Sequence, residues 1–129
     1  MRWGVLLQSW EVEFTDEFGA WWSELSAGEQ EFINASVRLL EARGPHLPFP
    51  YSSGVESSRH GHMRELRIQH DGEPIRILYA FDPRRVAILL VGGPKGGDRR
   101  WYERMVPLAD RMYDEHLAML RREGLIDGA

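Results

Sequence analysis

An α+β domain, in which two helices precede a three-stranded antiparallel meander and a third helix follows it, is what this sequence predicts. Three observations carry that expectation. Met63–Gln69 and Pro74–Phe81 are β-rich runs on either side of His70-Asp71-Gly72-Glu73, and Asp-Gly between two such runs marks a tight hairpin. Val86–Val91 is apolar at every position, as expected of a strand buried on both faces. Ser26-Ala27-Gly28-Glu29 is a capping box placed directly before residues of helical period.

Taken in order, residues 5–14 read as a first strand, with Trp10, Val12 and Phe14 alternating with Glu11 and Glu13. Thr15 is suited to cap a helix whose first turn holds Asp16 and Glu17 and whose apolar positions are Phe18, Trp21, Trp22 and Leu25. The Trp21-Trp22 pair is expected in the core. A second helix presents Phe32, Ile33, Ser36, Val37, Leu39 and Leu40 and stops at Gly44-Pro45. Residues 44–62, rich in Pro, Ser and Gly, read as a loop. Phe81-Asp82-Pro83-Arg84-Arg85 is the second turn of the meander, and Gly92–Gly97 is a further turn. Asp98 can cap a short helix holding Trp101, Tyr102, Met105 and Val106, with Pro107 opening a fresh or kinked helix. The terminal helix spans about residues 99–123. The helices are expected to cover one face of the small sheet.

The 129 residues fit a single domain with one core over 1–129. The absence of cysteine excludes disulfides, thiolate catalysis and a cysteine-based zinc site. The first residues, MRWGVLLQSW, have too short an apolar run for a signal peptide, and no run approaches the ~20 apolar residues that span a bilayer. A cytoplasmic protein without membrane contact is therefore expected. The net charge is −4, but it is unevenly spread: residues 59–104 hold ten Lys/Arg against six Asp/Glu, and residues 1–58 hold three against nine. A basic sheet in an acidic chain points to an anionic ligand at the meander.

Strand alternation refines that site. Leu66 and Ile68 share the core face of their strand, while Met63, Glu65 and Arg67 share the other. Arg76 lies opposite Ile75, Ile77, Tyr79 and Phe81, so Arg67 and Arg76 occupy one open face of adjacent strands. Lys95, Arg99 and Arg100 follow the third strand and can close over its end. Converging cations of this kind grip a phosphodiester and stabilise charge developing on a reacting phosphate. The plainer reading is that exposed strand positions favour Arg for solubility and for pairing with Glu65 or Asp98. His60-Gly61-His62 has a chelating spacing but no third ligand marked beside it, so no metal is expected. Gly92–Gly97 lacks the Gly-Lys-Ser/Thr ending of a phosphate loop, and no small-molecule cofactor is expected.

The order of elements is similar to that of a known family. So are Met63-Arg64-Glu65-Leu66-Arg67, Ile75-Arg76-Ile77-Leu78-Tyr79-Ala80-Phe81, and Ala87–Gly93 followed by Lys95. Over roughly residues 10–120 the chain resembles the phage-derived, HigB-like branch of the RelE/ParE toxin superfamily of type II toxin–antitoxin systems. The resemblance implies a RelE-like fold and a metal-independent endoribonuclease, an mRNA interferase that cuts messages on the ribosome and inhibits translation. The implied step is attack of a ribose 2′-OH on the adjacent phosphate, leaving a 2′,3′-cyclic phosphate. Its implied partners are mRNA, the ribosome and a cognate helix-turn-helix (HigA-like) antitoxin. Residue by residue, it places Arg67 and Arg76 on the family's basic strand positions and Lys95, Arg100 and Tyr102 at its cation-rich turn and terminal helix. Arg67, Arg76, Lys95 and Tyr102 are expected in the catalytic set, and Arg64, Arg99, Arg100 and His62 along the RNA. The chain also departs from the pattern. RelE-type members carry lysines where this chain has Glu65 and Met63, and the branch's usual Lys-Lys-Thr run is replaced by Pro94-Lys95-Gly96-Gly97. Those departures leave His62, His70 and Tyr102 as candidates for proton transfer. They also keep open a ParE-like inhibitor of a topoisomerase, which cuts nothing, and a degenerate module that only binds its antitoxin.

Overall fold

The computed structural model describes residues 1–3 and 9–128. Residues 5–8 of the expected first strand lie outside the described residues. Among the described residues the order is β1 (Val12–Phe14), α1 (Asp16–Ser23), α2 (Ala27–Arg43), a short 3-10 turn (Gly44–His46), β2 (Ser52–Gly54), β3 (Arg64–His70), β4 (Glu73–Phe81), β5 (Ala87–Pro94) and α3 (Arg100–Arg122). The strands form one sheet in the order β1-β5-β4-β3-β2, with β1 parallel to β5 and the other pairs antiparallel.

The local signals hold. Asp71 and Gly72 both have positive φ, 50° and 77°, the conformation of the two-residue turn that joins β3 to β4. The Ser26 hydroxyl accepts from the Glu29 backbone N–H at 3.1 Å, and the Glu29 carboxylate accepts from the Ser26 N–H at 2.9 Å. Thr15 caps α1 by accepting from the Phe18 N–H, and its hydroxyl donates to the Leu90 carbonyl at 2.7 Å. That second bond matters because the β4–β5 register shifts between Leu78 and Tyr79, leaving Leu90 as an extra residue on β5. Thr15 therefore both starts a helix and satisfies the carbonyl at a bulge.

Four expectations are corrected. First, helices cover both faces of the sheet. Phe18, Ile33, Val37 and Leu40 of α1 and α2 pack on Leu66, Ile68, Ile75, Ile77, Tyr79 and Leu89, whereas Trp101, Val106, Ala109 and Met112 of α3 pack on Leu78, Ala80, Ile88 and Leu90. Both parities of β4 and β5 are apolar, and each apolar face needs its own cover. β4 holds the middle of the sheet and β5 lies beside it. Second, the expected loop of residues 44–62 contains β2, an edge strand of Ser52, Ser53 and Gly54 paired with Leu66, Glu65 and Arg64. Third, β5 runs through Gly92 and Gly93 instead of turning there, pairing them with Ile77 and Arg76. A Cβ at Gly92 would collide with the Trp21 ring, and one at Gly93 would lie 3.2 Å from Trp101 Nε1. The two glycines let a tryptophan close on each face of the strand. Fourth, α3 is continuous through Pro107, which is exposed. Asp98 accepts from the Arg100 N–H at 2.9 Å and so satisfies one free donor at the start of that helix.

Candidate functional site

Arg67 on β3 and Arg76 on β4 are direct cross-strand partners, both on the sheet face that α3 covers. Between them and α3 lies Glu65, 5% exposed. Glu65 Oε1 accepts from the Tyr102 hydroxyl at 2.6 Å, and Oε2 accepts from Ser53 Oγ at 2.7 Å and from Arg67 at 3.2 Å. Tyr102 belongs to the first turn of α3 and Ser53 to β2, so the carboxylate gathers three elements at one point. Lys95 Nζ lies 5.8 Å from the centre of the Tyr102 ring.

Arg76 is the unusual member. Only 7% of it is exposed, and its guanidinium donates to the Ile75 carbonyl at 3.1 Å. Its Nε stands 3.8 Å from Glu65 Oε1, beyond hydrogen-bond distance. Among the described residues, Arg76 Nε is the buried side-chain polar atom without a hydrogen-bond partner. A buried, incompletely satisfied cation is costly and calls for a reason. A groove of about 290 Å³ lined by Pro50, Tyr51, Arg67, Ile68, Gln69 and Arg76 opens beside it. The arrangement thus offers an anion two arginines at a groove, a neighbouring carboxylate able to take a proton, and a phenol. Burial pushes the Tyr102 hydroxyl up to about 12, and the bond to Glu65 adds to the effect, so Tyr102 holds its proton at neutral pH.

Of the residues singled out in the sequence, Arg67, Arg76 and Tyr102 meet around Glu65, with Lys95 beside Tyr102. Arg99 and Arg100 are exposed at the start of α3. Arg64 is not brought in. Its Nε donates to Ser52 Oγ at 3.0 Å, next to the Tyr79 hydroxyl on the α2 side of the sheet. Strand alternation already separates Arg64 from Glu65 and Arg67. His62 is elsewhere too, 3.2 Å from the Tyr113 hydroxyl, and His60 is 2.9 Å from Asp114. Tyr113 lies eleven residues beyond Tyr102, roughly 16 Å along the helix. His70 packs edge-on against Phe32 of α2. Among the described residues no group of three metal-binding side chains occurs. Glu65 is the residue that sequence reasoning passed over. It was visible as the acidic neighbour of Arg67 on the same strand face, and only the fold brings Tyr102 and Ser53 to it.

Comparison with known proteins finds a family and named relatives. Residues 20–114 match the family described as phage-derived protein Gp49-like. A Mycobacterium tuberculosis protein named "Putative toxin HigB2" is 41% identical over 105 residues, 80% of this chain and 52% of its own length. The chain therefore spans about half the length of that relative. Another from the same organism, "Putative toxin HigB3", is 41% identical over 99 residues, 76% of this chain and 85% of its own length. No solved structure matches. No helix among the described residues is long and apolar enough to cross a membrane. With the end of α1, the whole of α2, all of β2–β5 and about two thirds of α3 inside the matched region, the chain belongs to the phage-derived Gp49-like family.

Proposed function

We propose that this protein is the toxin of a type II toxin–antitoxin pair and that it cleaves mRNA without a metal ion, Glu65 taking the proton. Two relatives carry toxin names, and the observation that carries the chemistry is the buried, under-satisfied Arg76 beside Glu65 and Tyr102. In this reading the substrate phosphate lies against Arg67 and Arg76. Glu65 accepts the proton of the ribose 2′-OH as the 2′-oxygen attacks phosphorus, and the two guanidiniums balance the charge that builds on the phosphorane oxygens. The P–O5′ bond breaks, a 2′,3′-cyclic phosphate forms, and Tyr102, protonated at neutral pH, supplies the proton for the departing 5′-oxygen. Glu65 thus stands where RelE-type relatives place a lysine. The ribosome and a helix-turn-helix antitoxin are the partners this reading requires.

Glu65→Gln tests it, because the amide keeps the side chain's shape but cannot take the proton. Cleavage by the purified variant should fall roughly 10²- to 10⁴-fold, with wild-type products ending in a 2′,3′-cyclic phosphate and wild-type activity surviving EDTA on a minimal RNA. A specific observation favours a second reading: Glu65 already accepts hydrogen bonds from Ser53, Arg67 and Tyr102, as a purely structural carboxylate would. Under that reading the protein binds its target without cutting. Growth arrest with intact messages and with DNA-damage signalling would select it.

A further inference from the structure

The groove beside Arg67 and Arg76 has a wall at Pro50 and Tyr51 that the phosphate chemistry does not use, and Phe49 adjoins that wall. Phe49 is 69% exposed and Tyr51 47% exposed, and both lie on the turn before β2. That turn is held in place from both sides. Leu47 beneath it is buried, the Tyr51 and Ser52 N–H groups both donate to the Pro48 carbonyl, and the Arg67 N–H donates to the Tyr51 carbonyl at 2.9 Å. The Arg67 guanidinium lies 5.1 Å from the centre of the Phe49 ring. Tyr51, Gln69 and both arginines line the same groove. Single exposed aromatics are ordinary on protein surfaces. Here two of them stand on a fixed turn and share Arg67 with the cation pair.

Charge argues for what occupies this wall. The whole chain carries −4, and Glu65 offsets part of the positive charge of Arg67 and Arg76. Phosphate contacts alone thus give a polyanion modest purchase. A single-stranded nucleic acid offers the complement the groove lacks, a flat π-face beside each phosphate. We propose that Phe49 and Tyr51 form a base-stacking subsite for an unpaired base of an RNA strand next to the phosphate held by Arg67 and Arg76. Gln69, exposed on the groove, presents an amide donor and acceptor to that base's edge. The inference rests on the proposed endoribonuclease reading and adds a residue-level account of how the strand is held.

The experiment is binding of the full chain to a short 2′-O-methylated RNA, which cannot be cleaved, and to the same strand with abasic positions. Phe49→Ala and Tyr51→Ala should each weaken binding to the base-bearing strand by about tenfold or more and leave the abasic strand unchanged. Phe49→Trp should restore binding, whereas Phe49→Leu, similar in apolar character but without a π-face, should not. Circular dichroism and thermal melting confirm that these exposed substitutions leave the fold intact. Equal binding by wild type and both alanine variants, or equal losses on both strands, overturns the subsite. If the wild type cleaves RNA while the aromatic variants bind as it does, the subsite alone falls. If the wild type neither binds free RNA nor cleaves messages on the ribosome, the endoribonuclease reading falls and takes the subsite with it.

Discussion

Two buried carboxylates meet the two ends of α3, and they are built differently. Asp82, at the exit of β4, is 4% exposed. It accepts from the Arg84 backbone N–H at 2.8 Å, from the Arg84 guanidinium at 3.0 and 2.7 Å and from His116 Nε2 at 2.9 Å. Arg84 then reaches Glu13 on β1 at 2.9 Å. Every charge in this cluster has a close partner, and the cluster ties the β4–β5 turn to β1 and to α3. Glu65, at the other end, is met by Tyr102, Ser53 and Arg67, but its neighbour Arg76 is left with a buried nitrogen unbonded. A satisfied buried network holds a fold together. A cluster that leaves a cation short of a partner beside an open groove stores a capacity to bind.

That comparison can be broken in three ways. The largest effect is expected at Arg76. Arg76→Ala should remove toxicity on induced expression, costing about 2–4 kcal/mol of transition-state stabilisation, while urea denaturation finds a folded protein. A folded variant that arrests growth at the wild-type rate would show that Arg76 is merely an expensive piece of the sheet. Next in size is the stability effect of Asp82→Ala. Removing it leaves Arg84 and His116 without their shared partner and should cost about 3 kcal/mol in unfolding free energy, with cleavage per folded molecule unchanged. A loss well under 1 kcal/mol would place Asp82 among the exposed pairs that contribute little.

The smallest effect is a pH dependence. Burial pushes the Asp82 carboxyl up, but the bonds from His116 and Arg84 outweigh it and hold the group below its ordinary value. The folded protein therefore binds that proton less readily than the unfolded chain does. Asp82 stabilises the fold above the unfolded carboxylate range, and this contribution fades as pH falls toward the lower folded value. Melts from neutral pH downward should lose stability less steeply in Asp82→Asn than in the wild type. Parallel curves would remove Asp82 as the acid-sensitive tie.

Elements specified by neighbours along the chain were legible in the sequence. Asp71-Gly72 needs only its own backbone to turn a hairpin, Ser26 and Glu29 close a capping box within one turn of helix, and Thr15 caps α1 across three residues. The shared face of Arg67 and Arg76 followed from strand alternation, and the register that the hairpin turn fixes makes them direct partners. Strand alternation alone also puts Arg64 on the α2 side, on the face opposite Arg67 and Arg76.

What only the tertiary structure decided depends on residues far apart in sequence. Ser52-Ser53-Gly54 has little intrinsic preference for a strand and becomes one because the edge of β3 offers unpaired hydrogen-bonding groups. Gly92 and Gly93 read as a turn until Trp21 and Trp101, from two helices, press on them from opposite faces. Glu65 looked like the acidic half of a surface pair, and becomes a buried junction because β2 brings Ser53 and α3 brings Tyr102. A sequence by itself determines what a few adjacent residues can do with their own backbone and hydrogen bonds. Which side chains share a buried point depends on how the layers close over the sheet, because burial converts a weak surface pairing into a strong, selective one.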